Sequence, residues 1–420
     1  MDTFEHSFNF YGIPCVFYNG KYYLFNFSTL KVASFDSLDE LREQESSGIL
    51  KENGIIDKAC GNCYAQDELH LTLILTTDCN LKCDYCYTES KIQKLYLSPK
   101  RVADIIDSFF KEKYYKRTFI QFFGGEPTLN IPAIRTVLNR VRYYSDNPFF
   151  YITTNGTFDE KVLNFIIKER IALYFSLDGL EGYNDLHRKT LSGEGSFSLA
   201  TKNLRAILEA HLPCKVRSTI TPDNVFGMKR FAEEMFRMGV RLIHFTPMAN
   251  VGHARENNCI SVDDGFYDTY VNNLIEVLDV AEGCGAQLVT PLSLLLGRPS
   301  RPYCKVFNNK TKFIITPEGK VTLCYGIQSS SNSFSENFIL GEYNSQTRRF
   351  DISDKILQKL NSAYDTIVQN HCSDCFAYFA CKGGCFAQNL SSCGSLFEMD
   401  KSFCLIQKKI VHALLIQMLK

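Results

Sequence analysis

The sequence predicts an α/β protein whose central part is a curled, mainly parallel sheet. Two observations lead to this expectation: six short apolar runs typical of strands lie between residues 69 and 250, and amphipathic helical stretches separate them. Strands that alternate with helices favour parallel pairing with right-handed crossovers. Six strands are too few to close an eightfold barrel, so we expect an incomplete one.

The predicted strands share short length and enrichment in β-branched and aromatic residues. They are Leu71–Thr76, Thr118–Phe123, Phe149–Thr153, Ala172–Ser176, Lys215–Ile220 and Arg241–Thr246. The first helix has Ser98 as its expected N-cap and Pro99 in its first turn. Further helices are predicted at Ile131–Tyr144, Asp159–Glu169, Ser196–Ala210, Val225–Met238, Tyr267–Ala281 and Leu405–Leu419.

Composition excludes several classes of partner. Lys plus Arg equals Asp plus Glu at 46 each, so no overall field favours nucleic acid or an anionic membrane, and we expect neither as a partner. The N-terminus lacks the basic head and apolar segment of a secretory signal, and no apolar stretch approaches the roughly 20 residues of a membrane span. The chain has 17 cysteines. We therefore expect a cytoplasmic protein in which cysteines serve as metal ligands rather than form disulfides.

Three cysteines follow the first predicted strand within eight residues: Cys79, Cys83 and Cys86. A cubane iron–sulfur cluster normally takes four cysteine ligands. A loop with three cysteines would leave one iron without a protein ligand, and such an open iron is a reactive site. Three free or zinc-bound thiols are the alternative interpretation.

The spacing Cys-x3-Cys-x2-Cys, with Tyr85 before the last cysteine, resembles the motif of radical S-adenosylmethionine (SAM) enzymes. This resemblance implies a partial (β/α)6 TIM-like barrel, a [4Fe–4S] cluster on the three cysteines, and SAM bound at the open iron. In barrels of this kind the chemistry takes place at the carboxyl ends of the strands. Each motif singled out in this sequence follows a predicted strand.

Two further segments resemble the SAM-binding motifs of the same enzymes. Gly124-Gly125-Glu126-Pro127 resembles the segment that holds the methionyl amino group, which assigns Gly124, Gly125 and Glu126 to that role. Asp185-x2-Arg188, followed by Gly-x-Gly-Ser-Phe, resembles the stretch whose Arg binds the SAM carboxylate together with a Ser at a strand end.

The resemblance therefore assigns Ser176 and Arg188 to the SAM carboxylate. Asn155, at the end of the third predicted strand, is expected near the ribose hydroxyls or the carboxylate, and Tyr85 and Met248 would border adenine. The family often has His where this chain has Asn184, a departure that leaves the Arg unaffected. No catalytic side chain is predicted.

Seven cysteines in the C-terminal third resemble the pattern of the SPASM domain, which holds two auxiliary [4Fe–4S] clusters. The resemblance assigns one cluster to Cys304, Cys324 and Cys385 and the other to Cys372, Cys375, Cys381 and Cys404, for three clusters in the chain. The spacing alone leaves a zinc alternative open, with Cys372, Cys375, Cys381 and Cys385 as its ligands.

Anaerobic sulfatase-maturing enzymes share this layout, and the chain departs from them at two positions. They place an Asp, their catalytic base, after the second SPASM cysteine, where this chain has Tyr325. They also carry an extra cysteine where this chain has Arg298. The first auxiliary cluster would then have three protein ligands and an open iron for a peptide thiolate, as proposed for thioether-forming maturases.

The resemblance implies a radical SAM/SPASM peptide maturase that forms thioether or other side-chain cross-links in a ribosomal precursor peptide. A flavodoxin- or ferredoxin-type protein would be its reductant. One alternative is a formylglycine-generating sulfatase maturase. Another is an iron–sulfur electron carrier or scaffold without enzymatic activity.

Four regions are expected along the chain. Residues 1–68 would form a small N-terminal α+β domain, which either recognises the peptide or is a packing extension. Residues 69–250 would form the radical SAM core, and residues 251–303 a bridging region. Residues 304–420 would form the SPASM domain with a C-terminal helix.

Overall fold

The structure is a computed structural model, and it divides into two compact units. It describes residues 6–11, 13–27, 29–53, 55–56, 67–89, 93–111, 113–257, 264–291 and 312–420. One unit comprises residues 1–64, 289–305 and 360–420, and the other comprises residues 65–288 and 306–359. The four regions expected from the sequence stay a prediction. Within the described ranges, no helix has the length and apolarity to cross a membrane.

The N-terminal part of the first unit is a four-stranded antiparallel sheet covered by two helices. Its elements are β1 (Phe8–Phe10), β2 (Ile13–Tyr18), β3 (Lys21–Asn26), β4 (Lys31–Phe35), α1 (Leu38–Ser46) and α2 (Ile49–Glu52). The Oγ of Ser37 caps α1 by accepting a hydrogen bond from the backbone N–H of Glu40 at 3.1 Å. Leu24, Phe35 and Leu41 lie in the apolar core of this part.

The second unit is built around one large open sheet. In chain order its strands are β5 (Glu68–Thr76), β6 (Leu81–Cys83), β7 (Arg117–Gly124), β8 (Pro148–Thr154), β9 (Ala172–Ser176), β10 (Arg188–Thr190), β11 (Cys214–Ile220), β12 (Leu242–Pro247), β13 (Gln287–Leu288), β14 (Lys312–Ile315), β15 (Lys320–Thr322), β16 (Ile339–Asn344) and β17 (Arg349–Ile352). The strand order across the sheet is β13-β12-β11-β9-β8-β7-β5-β14-β15-β16-β17. Strands β6 and β10 form a separate antiparallel ladder.

The pairing is parallel from β13 to β14 and antiparallel from β14 to β17. All six predicted strands are present, each within a few residues of the expected bounds, and they form the parallel part of the sheet. The sheet is open rather than closed, as expected for an incomplete barrel. Its extension by β14–β17 was not predicted from the sequence.

Helices connect the parallel strands and continue into the C-terminal segment. They are α3 (Pro99–Phe110), α4 (Ile131–Tyr144), α5 (Glu160–Glu169), α6 (Glu181–His187), α7 (Phe197–Glu209), α8 (Met228–Met238), α9 (His253–Asn257), α10 (Asp264–Gly283), α11 (Asp354–Ile367), α12 (Tyr378–Cys381), α13 (Phe386–Cys393) and α14 (Lys401–Gln417). Ser98 caps α3 as predicted, since its Oγ accepts from the backbone N–H of Arg101 at 3.2 Å. The apolar stripe of α3 is buried, as its helical spacing requires.

Asn130 fixes the junction between β5, α3 and α4. Its Nδ2 donates hydrogen bonds to the carbonyl oxygens of Leu75, at 2.9 Å, and Leu97, at 3.0 Å. Its Oδ1 accepts from the backbone N–H of Ala133 and caps α4. Because Asn130 is buried, water has little access to replace these bonds.

Replacing Asn130 by Ala is expected to lower the free energy of unfolding by about 2–3 kcal/mol, because two buried carbonyls lose their donor and a helix loses its cap. Urea denaturation followed by circular dichroism measures this loss. Asn139→Ala, at an exposed position of the same helix, is the matched control and should change stability by less than about 0.5 kcal/mol. Equal effects of the two substitutions would contradict the assigned role.

Candidate active site

The three cysteines of the loop after β5 line one cavity at the carboxyl edge of the parallel strands. The cavity has a volume of about 470 Å³. Seven of the eight residues assigned to SAM line it as well: Tyr85, Gly124, Gly125, Asn155, Ser176, Arg188 and Met248. The structure therefore brings together side chains that lie up to 169 positions apart in the sequence, from Cys79 to Met248.

The cysteine loop is held on two sides by backbone contacts. Cys83 lies in β6, where it is registered with Arg188 of β10. The backbone N–H of His253 donates to the carbonyl oxygen of Cys86 at 2.8 Å. These contacts connect the loop to β10 and α9, so the three thiols are positioned by elements distant in sequence.

The environment of the thiols suits metal ligands. Burial, followed by the charge of Glu126, raises the pKa of Cys79 to about 12. Burial raises the pKa of Cys83 to about 12 too, although the Arg188 guanidinium acts in the opposite direction. Both thiols are thus protonated at neutral pH without a metal, and binding of a metal would release their protons.

The donor set of the cavity consists of the thiols of Cys79, Cys83 and Cys86. Among the described residues, no three His, Cys, Asp or Glu side chains converge closely enough to hold one metal ion. In a cubane each thiolate binds a different iron, so cluster ligands need not converge on one point. Three thiols that share a cavity with a guanidinium are consistent with that arrangement.

Gly124 and Gly125 lie against the backbone at the start of the cysteine loop. The N–H of Gly125 donates to the carbonyl oxygen of Thr76 at 2.9 Å. A Cβ added to Gly124, whose φ is +143°, would lie 2.2 Å from the Thr76 carbonyl oxygen. A Cβ added to Gly125 would lie 2.2 Å from the carbonyl oxygen of Asp78, so only glycine fits at either position.

Glu126 is completely buried and does not line the cavity with the two glycines. Its carboxylate accepts hydrogen bonds from Thr128 N (3.1 Å), Thr128 Oγ1 (2.7 Å), Thr154 Oγ1 (2.9 Å) and Asn155 N (2.8 Å). Burial raises the pKa of Glu126, while these hydrogen bonds act in the opposite direction. The carboxylate thus connects the segment after β7 to the end of β8.

Arg188 is a buried cation with protein partners on both sides. Its Nη1 donates to the Tyr85 hydroxyl at 3.1 Å and lies 3.5 Å from the Asp178 carboxylate. Asp178 is buried too and accepts from the backbone N–H of Thr219 at 2.7 Å. Tyr85 packs against Met248 and Ala254 in a small apolar cluster beside this pair.

Two groups at this edge were missed by sequence reasoning. His187 is buried between the carboxylates of Asp84, at 3.3 Å, and Asp223, at 2.9 Å. Arg217 lines the cavity from the middle of β11. The polar residues at alternate positions of β11, Lys215, Arg217 and Thr219, were the available signal, because alternate strand residues share one face.

Four of the SPASM-type cysteines lie near one another in the first unit. Burial raises the pKa of Cys372 to about 12, and the neighbouring thiols of Cys375 and Cys404 contribute. Burial also raises the pKa of Cys381, with contributions from Cys404, Cys372 and Cys375. These are the four residues assigned to the second auxiliary cluster.

The other SPASM-type cysteines are placed differently. Cys385, whose pKa is raised by burial, has Asp400 as a charged neighbour. Cys324 belongs to the second unit, where its thiol lies near Gly326 and contributes to the raised pKa of Tyr87. Cys304 and Arg298 lie outside the described residues.

Replacing Gly125 by Ala is expected to displace the cysteine loop, because the new Cβ would overlap the Asp78 carbonyl oxygen. Alkylation of Cys79 by iodoacetamide in the metal-free protein should become about tenfold faster, the effect of a local destabilisation of about 1.4 kcal/mol. Mass spectrometry of the labelled peptide measures this rate.

Gly182→Ala in α6 is the matched control, since a Cβ there meets no atom within 4 Å. In that variant, Cys79 should be alkylated at the same rate as in the protein without substitutions. If Cys79 of Gly125→Ala were also alkylated at that rate, the contact between Gly125 and the Asp78 backbone would not hold the cysteine loop in place.

Residues 73–243 match the radical SAM superfamily. An uncharacterized protein of Methanocaldococcus jannaschii is 30% identical over 219 residues, which are 49% of this chain and 74% of that protein. The radical SAM cyclopropyl synthase TigE of Paramaledivibacter caminithermalis is 23% identical over 373 residues, 82% of this chain and 73% of TigE.

Solved structures share the fold at lower identity. Native anSMEcpe with bound AdoMet and the Kp18Cys peptide has a TM-score of 0.66 at 19% identity, covering 84% of this chain and 98% of that one. Streptococcus suis SuiB bound to its precursor peptide SuiA has a TM-score of 0.57 at 14% identity, covering 95% and 99%. The segment matched to the family contains the cysteine loop and the strands β7, β8, β9 and β11 of the cavity, and the chain thus belongs to the radical SAM superfamily as one of its enzymes.

Proposed function

We propose that this enzyme modifies a ribosomally made precursor peptide, forming a thioether or another side-chain cross-link. The observation that carries the proposal is the cavity shared by three thiols, two glycines and Arg188. A peptide substrate is supported by the likeness in fold to anSMEcpe and SuiB, whose solved structures contain peptides. The similarity to TigE, a radical SAM cyclopropyl synthase, supports a carbon-centred modification.

The family implies SAM and a [4Fe–4S] cluster, and Cys79, Cys83 and Cys86 would hold that cluster. When bound, cluster and SAM together supply a 5′-deoxyadenosyl radical by one-electron cleavage of the sulfonium. The chain contributes three thiols that line the cavity and a neighbouring cation that stabilises the thiolate of Cys83. We propose a flavodoxin- or ferredoxin-type protein as the electron donor.

The residues around the thiols would orient SAM. Arg188 and Ser176 would bind its carboxylate, and Asp178 already fixes the guanidinium of Arg188 in place. The backbone of Gly124 and Gly125 would face the amino group. Glu126, whose oxygens are occupied by protein donors, would maintain the shape of that backbone.

The remaining assigned residues would contact the nucleoside. Tyr85 and Met248 form an apolar surface suited to adenine. Asn155 would face the ribose, because it lines the same cavity. Its amide already donates to Asn80 Oδ1 at 2.8 Å, so its orientation is fixed before SAM binds.

Seven C-terminal cysteines would hold two auxiliary [4Fe–4S] clusters in a SPASM domain. The proximity of Cys372, Cys375, Cys381 and Cys404 supports the ligand set of the second cluster. Cys304, Cys324 and Cys385 would hold the first cluster. An open iron of that cluster would offer a site for a cysteine thiolate of the peptide.

Tyr325 helps to discriminate between peptide cross-linking and formylglycine formation. Its ring contacts Phe123 edge-on, with 5.2 Å between ring centroids, and Phe123 lines the cavity. This position therefore lacks the carboxylate by which formylglycine-forming relatives are recognised. This difference supports peptide cross-linking over formylglycine formation.

The reconstituted and reduced protein is expected to convert SAM into 5′-deoxyadenosine under anaerobic conditions. Cys83→Ala should abolish this product, because the cluster would lose one of its three protein ligands. Liquid chromatography of the quenched reaction measures it. Cys284→Ala removes an exposed thiol far along the chain and should leave the yield unchanged; equal yields from both variants would refute the proposal.

Anaerobically purified protein should contain about twelve irons per chain, as three cubanes require. The double variant Cys375→Ala/Cys381→Ala should retain about eight, because one auxiliary cluster would lose half its ligands. Cys393→Ala, which removes a cysteine outside the predicted ligand sets, should retain all twelve. Iron analysis that gave about four in the unmodified chain would contradict the two auxiliary clusters.

A further inference from the structure

The polar surface at the candidate SAM site extends along one face of the parallel sheet, toward the amino ends of its strands. Thr153, Ser176, Arg217 and Thr246 line the cavity, each on a different strand. The residues two positions earlier on those strands face the same side, because side chains alternate along a strand. They are Tyr151, Tyr174, Lys215 and His244.

Direct contacts connect several of these side chains into one surface. The rings of Tyr151 and Tyr174 lie 4.8 Å apart between centroids. Lys215 Nζ lies 3.7 Å from the centre of the Tyr174 ring, as a cation–π contact. The surface therefore carries aromatic hydroxyls and cations next to the place where SAM would bind.

Arg217 is the cation of this surface that lies in the cavity itself. It is registered with Ser176 on β9 and with His244 on β12. Its side chain is half-buried. Burial, with contributions from Arg217 and Lys215, lowers the pKa of His244 to about 3, so His244 is neutral near pH 7.

The two arginines of the cavity differ in their partners. Arg188 is paired with Asp178 and the Tyr85 hydroxyl. For Arg217, the described part of the chain offers no carboxylate within ion-pairing distance. Removing a guanidinium from water without a counter-ion costs free energy. A ligand that supplies the counter-ion offsets that cost.

A carboxylate is the group that a guanidinium binds best among the groups of a peptide. The planar fork of Arg donates hydrogen bonds to both carboxylate oxygens, which adds orientation to affinity. The SAM carboxylate already has Arg188 and Ser176 as its proposed partners. The second cation is therefore available for the substrate.

We propose that Arg217 determines substrate specificity by binding a carboxylate of the peptide, either an Asp or Glu side chain or a free C-terminus. This inference rests on the proposed peptide-modifying function and names the chemistry that the peptide must present. Binding at Arg217 would hold a neighbouring peptide residue beside the SAM cavity, since Ser176 and Arg217 are registered partners on adjacent strands.

Four short probes test the inference on the reconstituted protein with SAM bound. They are acetyl-Ala-Glu-Ala-amide, acetyl-Ala-Gln-Ala-amide, acetyl-Ala-Ala-Ala with a free C-terminus, and its amide. Nuclear magnetic resonance titration gives their dissociation constants. We expect about tenfold tighter binding of the Glu probe than of the Gln probe, or of the free C-terminus than of its amide. Whichever pair shows the difference identifies the source of the carboxylate.

Arg217→Met should abolish this preference while the affinity for SAM stays within about twofold. Arg217→Lys keeps the charge without the planar fork and should retain a reduced preference of roughly threefold. Arg205→Met, which removes an exposed cation of α7, is the matched control and should change neither binding constant.

Three results would overturn the inference: no preference in the unmodified protein, an undiminished tenfold preference in Arg217→Met, or SAM binding about tenfold weaker in Arg217→Met. The last would make Arg217 a SAM ligand. Failure of the unmodified protein to form 5′-deoxyadenosine would instead refute the proposed function, because probe binding is measured without turnover.

Discussion

The close approach of the Gly124-Gly125 backbone to the start of the cysteine loop is the constraint on which the site depends. The N–H of Gly125 and the N–H of Glu126 donate to the carbonyl oxygens of Thr76 and Asp78, at 2.9 and 2.8 Å. Parallel pairing of β5 with β7 brings these two strand ends side by side. Because a Cβ at either glycine would overlap the loop, the position of the thiols is set by backbone contact.

Charge placement completes the site around this contact. Glu126 has its hydrogen bonds supplied by Thr128, Thr154 and Asn155, and Arg188 has its counter-ion in Asp178. Both charged groups are buried, and their partners within the protein offset the free-energy cost of burial. They therefore hold fixed orientations before a ligand binds. Arg217 differs, since its counter-ion would come from outside the chain.

Much of the fold follows from local sequence signals. The bounds of α4 and six strands were predicted because apolar periodicity and caps such as Ser98 act over a few residues. Those strands are β5, β7, β8, β9, β11 and β12. Strand β14 pairs with β5 from some 240 positions away, with Lys312 opposite His70. A three- or four-residue strand of this kind has no local pattern that reveals its distant partner.

The residues of the site, like the strands of the sheet, were predicted from the sequence only in part. The resemblance of the motifs to those of radical SAM enzymes implied that Cys79 and Arg188 belong to one site, and the structure places both in one cavity. Spacing could not indicate that the Glu126 side chain is enclosed behind the glycines, because two of its hydrogen-bond donors, Thr154 and Asn155, come from β8 and the segment after it. Nor could it show that Arg217 faces the cavity and not the outer helices, since that depends on the register of β11.

The central claim is that three cysteines leave one iron open for the amino and carboxylate groups of SAM. Electron–nuclear double resonance of the reduced protein with SAM carrying ¹⁵N in its amino group tests it most directly. If SAM binds that iron through its amino group, the spectrum will contain a ¹⁵N hyperfine coupling of the size expected for a nitrogen bound to iron. A protein that holds its reduced cluster and binds SAM but shows no such coupling would contradict it.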